Sequence, residues 1–167
     1  MAKPHTHGKR VGDSMRISSG RVRWVQTDRT GTVVFDSGWH HNVTTNYAAG
    51  AIAQWLTGTN NTGYNPVLPP TKMQLGTGAG TPSPTDTGLF APVAATLQQV
   101  STAGPVSGSP SVAQWVCQYY GTANNAGTYT EIGLFDSNGN MWGHLMESIT
   151  ITEGLSTTCT WQKTATV

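Results

Sequence analysis

The amino-acid sequence predicts an all-β protein, with a β-sandwich or jelly-roll-like body, one short α-helix and an extended N-terminal arm. Composition favours this class, because only 10% of the 167 residues are charged, against about 25% in ordinary soluble domains. The chain also carries 26 threonines and 20 glycines, which suit strands and turns better than long helices. Short β-rich runs separated by turn signals, most regular in the C-terminal third, are typical of a sandwich or barrel.

The chain divides into an arm at residues 1–18 and a single sandwich domain at residues 19–167. The arm shows no hydrophobic periodicity and contains Pro4, Gly8 and Gly12. The rest is long enough to bury one core without disulfides or metals to support it. The sequence shows no apolar run of membrane-spanning length and no signal-peptide pattern. We therefore expect no membrane association and a protein made in a cytoplasm.

Several runs in the body predict strands. Residues 21–26 and 32–36 flank a loop that contains Gly31, which predicts a hairpin. Asn138-Gly139 predicts a second tight turn, because both residues tolerate positive φ. Residues 104–110 are expected to form a flexible connection. The remaining predicted strands lie at about 93–100 and at 112–120, 129–135, 141–147, 148–151 and 157–164.

One segment predicts a helix, at about residues 45–57. Thr44 or Thr45 can accept the first free amide hydrogen bonds, and Gly58 can adopt the left-handed conformation that ends a helix. The alanine-rich face, together with Ile52, Trp55 and Leu56, is expected to pack on a sheet.

Charge is distributed unevenly along the chain. Residues 1–30 contain seven basic and two acidic residues, a net charge of +5, whereas the remainder contains two basic and six acidic residues, a net charge of −4. A basic arm beside an acidic body can dock on a neighbouring copy or bind nucleic acid. We favour docking, because the arm is sparsely charged and has no aromatic residue for base stacking; a solvated terminus without a partner is the alternative. The residues expected at this subunit interface are Lys3, Lys9, Arg10, Arg16, Arg21 and Arg23.

Patterns that would indicate chemistry are weak. Gly76-Thr-Gly-Ala-Gly80 follows a predicted strand, but Pro82 and Pro84 come next instead of the helix that a phosphate-binding loop needs. Glu131 and Asp136 are too close along one strand and its turn to face each other across a glycoside. We interpret both as solvated surface or interface carboxylates.

Metal and cofactor sites are not predicted either. Cys117 and Cys159 lack the spacing of a zinc site and lie in apolar runs, where a buried thiol or a disulfide is possible. His5 and His7 could meet a metal at a symmetry axis, although incidental histidines in an arm explain them better. The six tryptophans are expected to be buried in the core or an interface, with a sugar-stacking platform as the alternative. We therefore expect no enzyme activity, cofactor or metal.

The order of several motifs resembles that of small virion proteins of tailed bacteriophages. The motifs are His41-Asn-Val-Thr-Thr-Asn46, Leu75-Gly-Thr-Gly78, Asp86-Thr-Gly-Leu89 and Thr130-Glu-Ile-Gly-Leu-Phe-Asp136. The last is also similar to a run in the particle-proximal N-terminal domain of phage tail-collar fibre proteins. The resemblance covers roughly residues 20–162 and implies a structural motif without catalytic residues, formed by Gly76, Gly78, Asp86, Glu131, Ile132, Gly133, Leu134, Phe135, Asp136 and Gly139.

The resemblance implies a structural component of a tailed-phage virion, assembled in the host cytoplasm. The expected partners are further copies of the chain, in a trimer or ring, and other virion proteins; nucleic acid is not expected. No long repetitive shaft follows residue 162, which favours a tail-proximal adaptor, fibre-attachment or accessory protein over a complete fibre. A capsid decoration (cement) protein and a surface carbohydrate-binding module are the alternatives.

Overall fold

A computed structural model describes residues 16–17, 20–58 and 67–166. This part of the chain is mostly antiparallel β-structure with one α-helix, so the predicted all-β body is confirmed. The strands are β1 (Arg16–Ile17), β2 (Arg21–Thr27), β3 (Val33–Asp36), β4 (His40–His41), β5 (Val43–Thr44), β6 (Pro70–Gly76), β7 (Gln98–Gln99), β8 (Thr102–Val106), β9 (Ser109–Tyr120), β10 (Gly127–Asp136), β11 (Met141–Ile151) and β12 (Ser156–Thr166).

The described strands form two sheets. The first has the order β3-β2-β12-β9-β8, with β1 also pairing with β12 and β4 with β2; the second has the order β5-β11-β10-β6-β7. Every second residue of β2 is buried, as expected for a strand with one face on a core. The apolar faces of both sheets meet in one cluster, which includes Trp24 and Trp161 from the first sheet and Leu75, Ile132 and Leu134 from the second.

Strand β10 is buried on both faces from Glu131 to Asp136. Ile132 and Leu134 enter the core between the sheets. Gly133 and Phe135 point the other way, where Phe135 packs with Leu89 in a second small cluster. The outer cover is the connection between β6 and the 3₁₀ turn at Ala94–Thr96, and we call residues 77–93 the strap. The strap therefore buries side chains on the outer face of the second sheet that would otherwise be exposed to solvent.

The helix, α1, spans Asn46–Thr57 and confirms the predicted caps. The Thr45 hydroxyl accepts a hydrogen bond from the Ala48 amide, and Gly58 is left-handed with φ 63°. The buried face contains Ala48, Ala51 and Gln54.

The expectation that Leu56 packs on a sheet was wrong, because Leu56 is 64% exposed, whereas Trp55 packs against Trp142 of β11 but remains 51% exposed. The buried positions repeat at i, i+3 and i+6, so Leu56 lies on nearly the opposite side of the helix, whereas Trp55 lies beside the buried positions near the end of the helix. Two of the three buried side chains are alanines, so the helix packs on the sheet through small residues. Ile52 lies at the margin and is half-buried.

Three strand boundaries also differ from the prediction. Residues 141–147 and 148–151 belong to one strand, β11. Residues 93–100 contain a 3₁₀ turn and only the two-residue β7. The supposed flexible connection at residues 104–110 is the hairpin between β8 and β9, which turns at Gly108 with φ 75°. Pro105 fits in β8 because this strand is at the edge of its sheet, where a missing N–H donor is tolerated. In the described ranges, no helix has the length and apolar character needed to cross a membrane.

Candidate functional site

Three of the four resembling motifs meet in a network around the carboxylate of Glu131, which has no exposed surface. Its Oε1 accepts hydrogen bonds from the backbone amides of Gly78 at 3.0 Å and Ala91 at 2.8 Å, and its Oε2 accepts one from Phe90 at 2.9 Å. Glu131 lies on β10, whereas the three amides belong to the strap. A single side chain therefore fastens both ends of the strap to the sheet.

His144 extends this site towards Asp86. Its Nε2 lies 3.0 Å from Glu131 Oε2, and its Nδ1 lies 2.7 Å from Asp86 Oδ2. Ionised carboxylates only accept hydrogen bonds, so both contacts are satisfied together when the ring carries two N–H groups, as an imidazolium. Asp86 also accepts a hydrogen bond from the Ser83 amide at 2.8 Å. We call Asp86, Glu131 and His144 the buried triad.

The pKa of Glu131 reflects two opposed influences. Burial raises the pKa, because it disfavours the charged form. The hydrogen bonds from Ala91, Phe90, Gly78 and His144 favour the carboxylate and outweigh burial, so the pKa lies below its ordinary value. The site is consequently built around an ionised glutamate.

The glycines of the motif allow the strap to approach this carboxylate. A Cβ atom on Gly76 would lie 2.3 Å from Glu131 Oε1, and one on Gly78 would lie 2.6 Å from the same atom. No larger residue fits either position without displacing the glutamate. The glycine-rich run that resembles a phosphate loop thus does contribute an amide to an anion, but the anion is a side chain of the same protein.

Asp136 organises the neighbouring β10–β11 turn. Its Oδ1 accepts hydrogen bonds from the amides of Asn138 and Asn140, both at 2.9 Å. Its Oδ2 accepts bonds from the Tyr47 hydroxyl at 2.8 Å and the Asn140 side-chain amide at 2.9 Å. Gly139 takes φ 86° within this turn. The turn is therefore fastened to the start of α1.

The interpretation of Glu131 and Asp136 as solvated carboxylates was wrong, because both are completely buried. Both carboxylates are buried by segments that are distant from β10 in the sequence. The strap covers the first, and Tyr47 of α1 bonds the second. Neither cover is adjacent in sequence to β10.

The buried triad has no obvious access to a substrate. Both nitrogens of His144 already face carboxylate oxygens, and the ring has no exposed surface. A general base needs a free nitrogen within reach of the proton it removes. A cavity of about 330 Å³ reaches Asp86 and Tyr47, but its lining does not include Glu131 or His144. In the described part of the chain, no group of three or more His, Cys, Asp or Glu side chains is arranged to hold a metal.

The basic residues assigned to the arm fall into two groups. Lys3, Lys9 and Arg10 lie outside the described residues, and Arg16 is in β1, opposite Thr166 of β12. Arg21 and Arg23 belong to β2, where their guanidinium groups bind within the chain. Arg21 donates to Gln162 Oε1 at 2.9 and 2.8 Å and lies over the Trp39 ring, and Arg23 pairs with Asp36.

Several acidic side chains of the body also form contacts within the chain. Glu131, Asp136 and Asp86 take part in the contacts above, and Asp36 pairs with Arg23. Glu147 lies 3.1 Å from His40 and is 43% exposed at its side chain, and Glu153 is exposed. Among the described residues, Asp36, Glu147 and Glu153 are exposed and Asp28 is partly exposed, so the acidic surface for a basic arm is small and partly paired within the chain.

The tryptophans and cysteines mostly belong to the core. Four of the six tryptophans are buried, Trp24, Trp115, Trp142 and Trp161, whereas Trp39 and Trp55 are the exposed ones. Cys117 and Cys159 are directly opposite each other on β9 and β12, and both are buried free thiols. Burial raises the pKa of the Cys117 thiol to about 11, which keeps it protonated.

Strand β3 presents the clearest exposed apolar surface. Val33, Val34 and Phe35 are 57%, 52% and 47% exposed. Among the described strands, β3 pairs only with β2, so its outer edge carries unpaired backbone groups. An exposed edge with apolar side chains is a template for pairing with another chain.

No protein-family model, curated protein or solved structure significantly matches this chain. The site therefore rests on its own geometry. Sequence reasoning missed His144. Its signal was indirect: Glu131 is a charged residue inside a run that is otherwise apolar on both faces, and such a residue needs a buried partner.

Proposed function

We propose that this protein is a structural subunit of a tailed-phage particle, an oligomeric tail-proximal adaptor or accessory protein that binds neighbouring subunits. The observation that carries the proposal is the convergence of the phage-like motifs on one buried carboxylate. Gly78, Asp86 and Glu131 come from three separate motifs and meet in one network. This convergence supports reading the motifs together as one structural unit.

The network supports a structural rather than a catalytic role. Each oxygen of Glu131 accepts from donors of the chain, and His144 has both nitrogens engaged. A fully satisfied buried network rigidifies a fold and specifies its arrangement. Here the arrangement it specifies is the position of the strap on the second sheet.

The edge of β3 is the surface through which we propose that copies associate. Val33, Val34 and Phe35 would lose water-exposed apolar area on pairing, and their backbone would gain hydrogen bonds. Low charge across the body keeps the cost of desolvating such contacts small. Repetition of the contact around a ring or trimer would supply strength through avidity.

The association is tested by measuring mass in solution across a protein concentration series, by light scattering coupled to size exclusion. The native chain is expected to form a discrete oligomer, and Val34→Lys is expected to shift it towards monomer. Leu97→Lys is the matched control, because Leu97 is similarly exposed but lies outside β3. A monomeric native chain at every concentration, or an unchanged oligomer in Val34→Lys, would reject this surface.

The location of the protein within the phage particle is tested by immunogold electron microscopy of particles from cells that express the gene. Label at the tail–head junction or tail supports the adaptor. Label distributed over the capsid supports the decoration alternative and rejects the tail assignment. Particles without label reject a virion protein altogether, and a glycan array would then test the carbohydrate alternative at Trp39 and Trp55.

A further inference from the structure

A cavity among the described residues lies away from the buried triad, between α1 and the first sheet. It has a volume of about 510 Å³, within the range of small-molecule sites. Ile52 and Trp55 of α1 line it together with residues of β8, β9 and β12, and Trp142 of β11 closes it from the second sheet. We call it the apolar cleft. Nothing in the proposed assembly function requires it.

The lining is almost entirely apolar, with one exception. Among the described residues that line the cleft, Lys163 alone is ionisable. Lys163 is on the inward face of β12, opposite Ala113, and only 6% of its surface is exposed. An ammonium group in such a place is costly unless an anion compensates it.

The described part of the chain provides no such anion. Lys163 Nζ donates to Thr44 Oγ1 at 2.8 Å, and it has no ion pair there. An ammonium has three donors, so the hydroxyl satisfies only one of them. Burial lowers the pKa of Lys163 to about 7, so the charged form is present in quantity at neutral pH and would be favoured by a nearby anion.

Trp142, which also lines the cleft, carries a donor without a partner in the described part of the chain. The Trp142 indole Nε1 is buried and has no hydrogen-bond acceptor among the described residues. Trp142 packs against Trp55, with ring centroids 5.4 Å apart, and Trp55 is half-exposed at the cleft. The cleft thus combines aromatic walls with one buried ammonium group that has a single hydroxyl acceptor in the described ranges.

We propose that the apolar cleft binds an amphiphilic monocarboxylate, whose carboxylate accepts a hydrogen bond from Lys163 and whose apolar body lies against Trp55, Trp115 and Pro105. A single negative charge matches the single cation. A phosphate would carry more charge than the cleft can compensate. A neutral apolar ligand would leave the donor of Lys163 unused.

The test is titration calorimetry of the full chain with sodium octanoate, 1-octanol and octyltrimethylammonium as probes. Octanoate is expected to bind one to one and at least tenfold more tightly than octanol, and the cation is expected not to bind. Equal affinity for octanoate and octanol, or no octanoate binding at about 1 mM, a concentration that detects about 4 kcal/mol of binding free energy, would overturn the proposal.

The variant Lys163→Met tests whether Lys163 binds the carboxylate headgroup of the ligand. Methionine keeps the length and apolar stem while removing the charge, so octanoate affinity should fall at least tenfold and octanol affinity should persist. Lys72→Met is the matched control, because Lys72 is on β6, bonds Ser137 and does not line the cleft. Undiminished octanoate binding to Lys163→Met rejects the assignment.

A second variant covers the possibility that Lys163→Met alters the fold. Ala103 is an exposed residue of the edge strand β8 that lines the cleft, and Ala103→Trp should block it and abolish octanoate binding. Ala95→Trp, at an exposed alanine outside the lining, should bind octanoate normally. Binding to Ala103→Trp that equals the native chain would place octanoate elsewhere and overturn the proposal.

Discussion

Glu131 Oε2 and His144 Nε2 lie 3.0 Å apart on adjacent strands, and neither side chain is exposed to solvent. β10 supplies one partner and β11 the other, while the strap supplies the amides and Asp86 that complete the network. The contact therefore joins three parts of the chain at one point. Removing the contact between Glu131 and His144 should therefore lower the folding stability.

Glu131→Gln should lower the free energy of unfolding by about 2–4 kcal/mol. Each oxygen of Glu131 accepts two hydrogen bonds, so the new side-chain NH₂ leaves at least one backbone amide without its acceptor. Urea unfolding, followed by tryptophan fluorescence, measures the change. Glu153→Gln, at an exposed site, should stay within about 0.5 kcal/mol of the native chain, and equal stability of the two variants would contradict this role of Glu131.

The stabilisation by Glu131 should depend on pH in the acid range. Its pKa in the folded chain lies below the value of an unfolded chain, so the folded state holds fewer protons there and stability falls as pH falls. The stability difference between the native chain and Glu131→Gln should be constant above the unfolded pKa and shrink below it. Urea midpoints between about pH 3 and 7 measure this, and a pH-independent difference would refute it.

Gly78→Ala should destabilise the strap. Its Cβ would lie 2.4 Å from Phe90 Cβ and 2.6 Å from Glu131 Oε1, distances that force movement and cost about 1–3 kcal/mol. Gly88→Ala is the control in the same strap, because its Cβ would contact nothing within 4 Å. Thermal unfolding compares the two variants; a Gly88→Ala effect as large as that of Gly78→Ala would count against the close approach.

Lys163→Met should stabilise the unliganded chain at neutral pH. The pKa of Lys163 is lowered to about 7 in the folded chain, from 10.5 for an unperturbed lysine, so between these values the unfolded chain holds an additional proton. The penalty is fully present below about pH 7, at roughly 1.4 kcal/mol for each pKa unit, and it disappears as pH rises towards 10.5.

The stability advantage of Lys163→Met over the native chain should accordingly shrink between pH 7 and 10. Chemical unfolding at each pH measures it. Using the difference between the two proteins removes the titration of other groups. Lys72→Met should show no such trend, and a difference that does not vary with pH for Lys163→Met would contradict the buried charge.

Gln54→Met should raise stability by about 1–2 kcal/mol. Gln54 is on the buried face of α1, and neither its side-chain oxygen nor its nitrogen has a hydrogen-bond partner in the described ranges. A buried polar group without a partner costs about this much, and methionine has a similar shape. Thermal unfolding measures the gain. Gln118→Met, at an exposed residue bonded to Ser156, should give none, and a loss of stability in Gln54→Met would refute the account.

Local signals in the sequence predicted the elements that depend on neighbouring residues. Thr45 and Gly58 defined α1, and Asn138-Gly139 defined the turn after β10, because caps and turns are set within a few residues. Of the residues that the resemblance singled out, Gly76, Gly78, Asp86 and Glu131 lie together around one carboxylate network.

Contacts between distant segments could not be predicted from local sequence signals. His144 meets Asp86 across 58 positions, and no local pattern announces that pairing. The exposure of Trp55 depends on how α1 packs on β11. Strand β8 was not predicted because it contains Pro105, which is tolerated only since β8 lies at the edge of its sheet, and that position depends on the whole fold. The cleft at Lys163 likewise exists only once α1 and β12 are brought together.

The strap closes on itself at its base. The Thr77 amide donates to Ala91 O at 2.9 Å and the Val93 amide to Leu75 O at 3.0 Å, beside the carboxylate that holds both ends. Ala79, Gly80 and Thr81 at the outer bend are exposed. The entropy of closing a loop grows only logarithmically, by about 0.6 kcal/mol for each doubling of length. An insertion beside the exposed Ala79 or Thr81 is therefore expected to cost little folding stability, provided that Gly80, where a Cβ would lie 2.7 Å from the Phe90 ring, stays a glycine.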